Sequence, residues 1–235
     1  MGQADGVRAP AKLTLSLRVT GVRDDGFHLI DSEMVTLDLC DELTFADGDG
    51  LVVEGPFDVG AAEDNLVRRA LRAVGRTAHV TLHKRIPPGG GLGGGSADAA
   101  AVLRWAGCTD LDVAASLGAD VPFCLVGGRA RVTGIGEVLE PLPDVDRVFT
   151  LLTPPFGVST PAVYRAWDSL GGPTAAGPND LEPAALAVEP RLAAWRDRLA
   201  EDTGAVPVLA GSGSTWFVEG AFPGEGRVVT RTGRP

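Results

Sequence analysis

Residues 86–100 read IPPGGGLGGGSADAA, and no other stretch of the 235-residue chain restricts its fold as much. Gly89, Gly90, Gly91, Gly93, Gly94 and Gly95 surround a single Leu92. Glycine has no Cβ, so it reaches positive φ and lets backbone approach a ligand closely, but ordering it costs the most backbone entropy. Such a run is poor at holding a strand or helix by itself. Directly after it, Ser96-Ala97-Asp98-Ala99-Ala100-Ala101-Val102-Leu103-Arg104-Trp105 has the composition of a good helix. The unpaired N–H groups of that helix's first turn would face the glycine loop. This is the geometry of an anion site, and the usual anion is phosphate. A Gly/Ser tether is the plain alternative. A run this short, preceded by Pro87-Pro88 and entering a helix at once, has no use as a tether. Its spacing fits neither a Walker A loop, which needs Gly-Lys-Ser/Thr, nor a dinucleotide fingerprint with an acidic residue about 20 positions on.

The length suffices for one large domain or two small ones with a sizeable core. A net charge of −10 argues against nucleic acid or an anionic membrane as partner. A nucleotide can still be held by a local cluster of backbone N–H groups. Cys40, Cys108 and Cys124 are odd in number and form no CxxC pair, so no disulfide framework is expected and a reducing cytoplasm is the natural compartment. No apolar run approaches the roughly 18 residues of a membrane span, and no signal-peptide pattern opens the sequence. His28, His79 and His83 are too scattered for a zinc motif.

Over residues 9–20, Leu13, Leu15, Leu17 and Val19 alternate with Thr14, Ser16 and Arg18, the period of a half-buried strand. Lys12 stands at its start, where position alone favours a solvated lysine. A Gly/Asp turn follows and ends in Phe27-His28. A histidine there is placed to recognise a base or ring, although a lone loop histidine is more often solvated. Segments 34–38 and 42–45 read as two strands with a turn near Asp41-Glu42, and 51–54 as an outer strand. Asp64-Asn65 caps a helix through Val74, with Leu66, Val67, Ala70, Leu71 and Val74 on one face and arginines opposite. Residues 78–83 form a strand leading through Lys84-Arg85 into the glycine loop. Strand, loop, helix is the order a phosphate cradle needs.

Beyond Trp105 a short helix starts at Thr109 or Asp110 and ends at Gly118. Asp120 then stands between a glycine and an apolar run. A charge there is costly unless paired, with Lys12 a fitting partner, or it merely caps a turn. A strand at 130–133 and a turn at 134–137 follow, and the composition shifts near Pro141-Leu142-Pro143, which marks a domain boundary. The second part reads as strands at 148–152, 206–209, 216–218 and 227–230. A helix from Thr160-Pro161 carries Tyr164 and Trp167, and an amphipathic helix covers 191–200. Ala210-Gly211-Ser212-Gly213-Ser214-Thr215 is a weak signal alone. Beside the first loop it suggests a cleft lined with N–H and hydroxyl donors from two domains.

Five segments, in order along most of the chain, resemble the GHMP kinases: PAKLTLSLRVTGVRDDGFH, EDNLVRRA, KRIPPGGGLGGGSADAA, GADVPF with GIGEVLEPL, and NDLEP with GSGST. The resemblance implies an α+β, two-domain fold, with a ribosomal S5 domain 2-like ATP-binding domain over 1–145 and a ferredoxin-like domain over 146–235. It implies an ATP-dependent small-molecule kinase that uses Mg²⁺ and works as a monomer or weak homodimer. By the resemblance, Pro88 and the loop from Gly89 to Ser96 wrap the ATP triphosphate, and Ser96 also holds Mg²⁺ or a phosphate oxygen. Asn65 and Lys84 match positions near the adenine. Asp120 matches the family's catalytic aspartate, which takes the proton of the substrate hydroxyl, and Lys12 its catalytic lysine, which orients that hydroxyl and offsets charge. Phosphoryl transfer is mostly positioning and charge stabilisation, with a base contributing about 10²–10⁴-fold.

The paired GFH and GADVPF elements narrow the resemblance to the branch that phosphorylates the 2-hydroxyl of a cytidyl-diphosphate methylerythritol in non-mevalonate isoprenoid synthesis. His28 would then meet the cytosine edge and the base would stack between Phe27 and Tyr164. Thr14, Gly211, Ser212 and Gly213 would line the substrate side. Thr14 replaces the family's usual asparagine, Phe27 its usual tyrosine, and 106–117 is much shorter than in typical members. Two alternatives accompany this reading: a GHMP kinase acting on mevalonate, homoserine or a sugar, and a nucleotide-binding paralogue without catalysis.

Overall fold

A computed structural model describes residues 6–57 and 64–235. The N-terminal alternation becomes β1 (Val7–Val22), paired antiparallel with β2 (His28–Ala46) along nearly its whole length. The sequence pattern suggests two strands within 34–45, and the structure has one. The polar residue that reads as a turn, Asp41, is instead fully buried. Its Oδ1 accepts from the backbone N–H groups of Arg85 at 2.5 Å and Ile86 at 2.8 Å, and its Oδ2 pairs with Lys84. A satisfied carboxylate lets the strand pass straight through.

β3 (Gly50–Glu54) runs parallel to β4 (His79–His83), and α1 (Leu66–Ala73) makes the crossover between them. Asn65 caps α1 by accepting from Val67 N at 2.9 Å, and Val67, Ala70 and Leu71 form its buried face. α2 (Gly94–Trp105) starts two residues earlier than its composition indicates, taking Gly94 and Gly95 into its first turn. Next come α3 (Leu111–Leu117), capped by Asp110, and α4 (Val121–Val126). β5 (Arg129–Gly134) and β6 (Val138–Leu142) complete a six-stranded sheet ordered β3-β4-β2-β5-β6, with β1 on β2.

The chain continues with β7 (Val148–Leu152), α5 (Thr160–Ser169), α6 (Glu182–Val188), α7 (Leu192–Thr203), β8 (Val208–Leu209), β9 (Trp216–Glu219) and β10 (Arg227–Arg231), and the four strands form a second sheet. Its order β10-β7-β9-β8, antiparallel throughout, is ferredoxin-like. The helices all lie in the first crossover. Residues 220–226, GAFPGEG, carry the second crossover without one, because three glycines and a proline in seven residues cannot build a helix.

Strand alternation sends neighbouring residues of this sheet to opposite sides. Phe149, Leu151 and Phe217 join the apolar cluster that holds Leu13, Leu37 and Leu103 of the first sheet and its helices. Leu152, Trp216 and Val218 join Trp167, Leu181 and Leu199 on the other side, together with Leu17 and Ile30. A polar clasp adds to this contact. Buried Asp180 accepts from Arg18 Nη1 at 2.6 Å, Val19 N at 3.0 Å and Ala175 N at 2.9 Å. Among the described residues no helix is long and apolar enough to cross a membrane.

Candidate active site

Two neighbours order the glycine loop. Lys12 N on β1 donates to Leu92 O at 3.0 Å, and Thr215 N donates to Gly90 O at 3.1 Å. Gly91, at φ +78°, lies so close to the 210–215 loop that a Cβ there would sit 2.2 Å from Ala210 O. Gly93, at φ +68°, takes the N-cap position of α2, and its missing Cβ leaves room for the Lys12 stem, 2.8 Å from where it would stand. The loop is held against both sheets and is no tether.

Beyond it opens a cavity of about 580 Å³. Asn65, Lys84, Pro88, Gly89, Gly90, Gly91, Gly93, Gly94, Gly95 and Ser96 line one part, and Lys12, Thr14, Asp120, Tyr164, Gly211 and Ser212 another. Lys12 is 5 % exposed. Its Nζ donates to Thr14 Oγ1 at 3.0 Å and pairs with Asp120 Oδ2 at 3.5 Å. Asp120 precedes α4 but makes no side-chain cap bond, which leaves its carboxylate open to the cavity. Thr14, shorter than asparagine, still reaches the lysine. The 210–215 loop is set by Asn179, whose Nδ2 donates to Leu209 O at 2.9 Å and Gly211 O at 2.7 Å. Thr160 and Ser212 hydroxyls pair at 2.7 Å, fixing the N-terminus of α5 against it.

Lys84 is buried between two carboxylates, Asp41 and Asp98, with Asp98 Oδ2 at 2.9 Å. Asp98 Oδ1 is buried without a hydrogen-bond partner, and Asp98 also lines the cavity. Burial raises the Asp98 carboxyl from 3.8 to about 7; Lys84 opposes the shift and Asp41 adds to it. The three groups brace both ends of the glycine loop, since Asp41 holds residues 85 and 86 while Asp98 lies in α2. Lys84 thus lines the cavity as part of an internal strut.

Of Phe27, His28 and Tyr164, the residues expected on the cytosine side, only Tyr164 lines the cavity. Phe27 is 56 % exposed and lies outside the cavity lining. It ends the tight turn between β1 and β2, where Arg23 N donates to Phe27 O at 2.8 Å. His28 itself lies on Tyr164, centroids 4.6 Å apart and planes tilted by 32°. Burial raises the Tyr164 phenol, and the charge of Asp120 raises it further, so it stays a neutral donor. Leu92 and Gly213 also lie outside the lining: Leu92 is 1 % exposed in the core and serves through its carbonyl, and Gly213 packs against Leu209.

Sequence reasoning names Asp98, Asp180 and Asn179 without roles and gives none to Asp41 beyond a turn. Asp41, Asn179 and Asp180 each bond to partners thirty or more positions away, and Asp98 to Lys84 fourteen positions before it. A base and a lysine in contact, beside a backbone-lined anion cradle, can deprotonate a hydroxyl and deliver it to a phosphate.

The family described as GHMP kinases N terminal domain matches residues 65–128. The 4-diphosphocytidyl-2-C-methyl-D-erythritol kinase of Paracoccus denitrificans (strain Pd 1222) is 44 % identical over 231 residues, covering 89 % of this chain and 84 % of that protein. A crystal structure of 4-(cytidine 5'-diphospho)-2C-methyl-D-erythritol kinase superimposes with a TM-score of 0.77 at 32 % identity, covering 96 % of this chain and 98 % of that one. The L. major mevalonate kinase, at 11 % identity and a TM-score of 0.63 over 99 % of this chain and 97 % of its own, shares the fold alone. By sequence and by architecture, the chain belongs to the 4-diphosphocytidyl-2-C-methyl-D-erythritol kinase family of GHMP kinases.

Proposed function

We propose that this protein transfers the γ-phosphoryl group of ATP to the 2-hydroxyl of 4-diphosphocytidyl-2-C-methyl-D-erythritol. The observation that carries the reading is the Lys12–Asp120 pair, 3.5 Å apart in the cavity that the glycine loop lines. Backbone N–H groups of residues 89–96 receive the triphosphate, and the first turn of α2 adds its dipole. Asp120 takes the proton as the substrate oxygen bonds to phosphorus and the bond to ADP breaks. Lys12, held by Thr14, orients that oxygen and offsets the charge spreading over the phosphoryl oxygens.

Mg²⁺ fits the residues present. It is usually held by one or two protein oxygens plus phosphates and water, and the Ser96 hydroxyl lines the cavity two residues from the buried, half-free carboxylate of Asp98. Bound there through Ser96, it would neutralise phosphate charge. Asn65, Pro88 and Lys84 bound the adenine end, while Thr14, Tyr164, Gly211 and Ser212 bound the acceptor end, with His28 resting on Tyr164. The same reading divides the chain at 145/146, with the nucleotide held mainly by 1–145 and the acceptor closed over by 146–235. Three free thiols suit the reducing cytoplasm.

ADP release measured side by side with the cytidyl substrate, mevalonate and homoserine tests the reading. Turnover of the cytidyl substrate alone is expected, and turnover of one of the others in its place would sink the acceptor assignment.

A further inference from the structure

His28 and Asp168 are 140 positions apart, one opening β2 and the other near the end of α5, yet His28 Nε2 lies 2.7 Å from Asp168 Oδ1. Tyr164 and Asp168 are four residues apart on α5 and so share a face. The His28 ring rests on Tyr164, meets the edge of Trp167 at 5.6 Å and ends on the carboxylate. Only 9 % of its side chain is exposed. Two residues along β2, on the same strand face, Ile30 lines the cavity, and so does Tyr164. The ring is therefore fixed from three sides; His28 itself is outside the cavity lining, next to Tyr164, which lines it.

An ionised carboxylate only accepts hydrogen bonds, so the Nε2 contact requires the proton on Nε2. In the neutral ring this leaves Nδ1 as a bare acceptor. Cytosine presents an amino donor at its 4-position, where uracil, like thymine, presents a carbonyl acceptor. A bare Nδ1 favours the first and opposes the second, and the other tautomer would reverse that preference. We propose that Asp168 is a positioning residue that fixes the Nε2–H tautomer of His28 and so sets the preference for a cytidyl over a uridyl acceptor. The proposal rests on the cytidyl-substrate reading given above.

Nitrogen-15 NMR of the full chain, at a pH where the ring is neutral, is expected to show His28 with Nε2 protonated and Nδ1 bare. A bare Nε2 overturns the proposal. Kinetically, Asp168→Ala should raise the KM for the cytidyl substrate and lower the kcat/KM ratio of cytidyl to uridyl substrate by about fivefold to tenfold, the worth of one oriented hydrogen bond. The kcat and the KM for ATP should hold within about twofold, and Asp168→Glu should restore the ratio. An unchanged ratio in Asp168→Ala, while His28→Ala lowers it, removes the role of Asp168 and leaves the His28 contact standing. If His28→Ala also leaves the ratio unchanged, the cytosine assignment falls, and this proposal with it.

Discussion

Replacing Gly91 by alanine perturbs the contact on which the cavity depends. At φ +78° an L-residue costs about 1–2 kcal/mol in any surroundings. The added Cβ would stand 2.2 Å from Ala210 O and 3.0 Å from Gly213 O, both backbone atoms that no rotamer change can move. Asn179 holds that backbone in place through Leu209 O and Gly211 O. Relief requires the two loops to part, which breaks the 3.1 Å bond from Thr215 N to Gly90 O and costs about 1 kcal/mol more. The expected loss of stability in urea unfolding is about 2–3 kcal/mol. A displacement of about 1 Å beside reacting groups costs about 10²-fold in rate, which ADP release under saturating ATP reads out. Gly75→Ala is the control: its φ is +61° and no atom lies within 4 Å of the new Cβ, so it carries the backbone strain alone. Equal destabilisation by the two substitutions, with kcat/KM of Gly91→Ala within about threefold of the parent, would refute the account of the loop contact.

Asp120→Asn should lower turnover by about 10²–10⁴-fold while ATP affinity, read by calorimetric titration, stays close to the parent; a parent-like rate would remove Asp120 as the base. Asp180→Ala leaves Val19 N and Ala175 N without their acceptor and should cost about 2–3 kcal/mol in urea unfolding, and a loss below about 0.5 kcal/mol would show that the clasp contributes nothing. Asp98 holds its proton up to about pH 7, whereas an exposed aspartate lets go near 3.8. Between those values the native state binds a proton that the unfolded chain has lost, so this group's contribution falls as pH rises through the window. Asp98→Asn should flatten that fall, and parallel stability profiles from pH 4 to pH 7 would contradict the assignment.

Legibility in the sequence followed the range of the interactions. The alternation of Leu13, Leu15 and Leu17, the Asn65 and Asp110 caps and the glycine loop before an alanine-rich helix are local signals, and each became the element it indicated. The failures came from polar residues whose partners lie far off in sequence. Asp41 looked like a turn because Lys84, Arg85 and Ile86, more than forty positions on, were not visible as its partners. Glu182–Val188 has only seven residues and no capping side chain, too little pattern to announce a helix. The Lys12–Asp120 contact is only half legible: an aspartate before an apolar run demands a cation or a cap, and position alone favours a solvated Lys12. What lies around it, from Thr14 to Asn179, needed coordinates.

The shared apolar cluster sets a limit on motion. Phe149, Leu151 and Phe217 are buried among side chains of the first sheet and its helices, so swinging the two sheets apart as rigid bodies would tear open a packed interior. Widening of the cleft therefore falls to the loops that line it. The halves should also melt together, and a calorimetric scan is expected to show a single transition whose measured and van't Hoff enthalpies agree. One face of the second sheet is thus part of the packed interior that also holds Leu92 of the glycine loop.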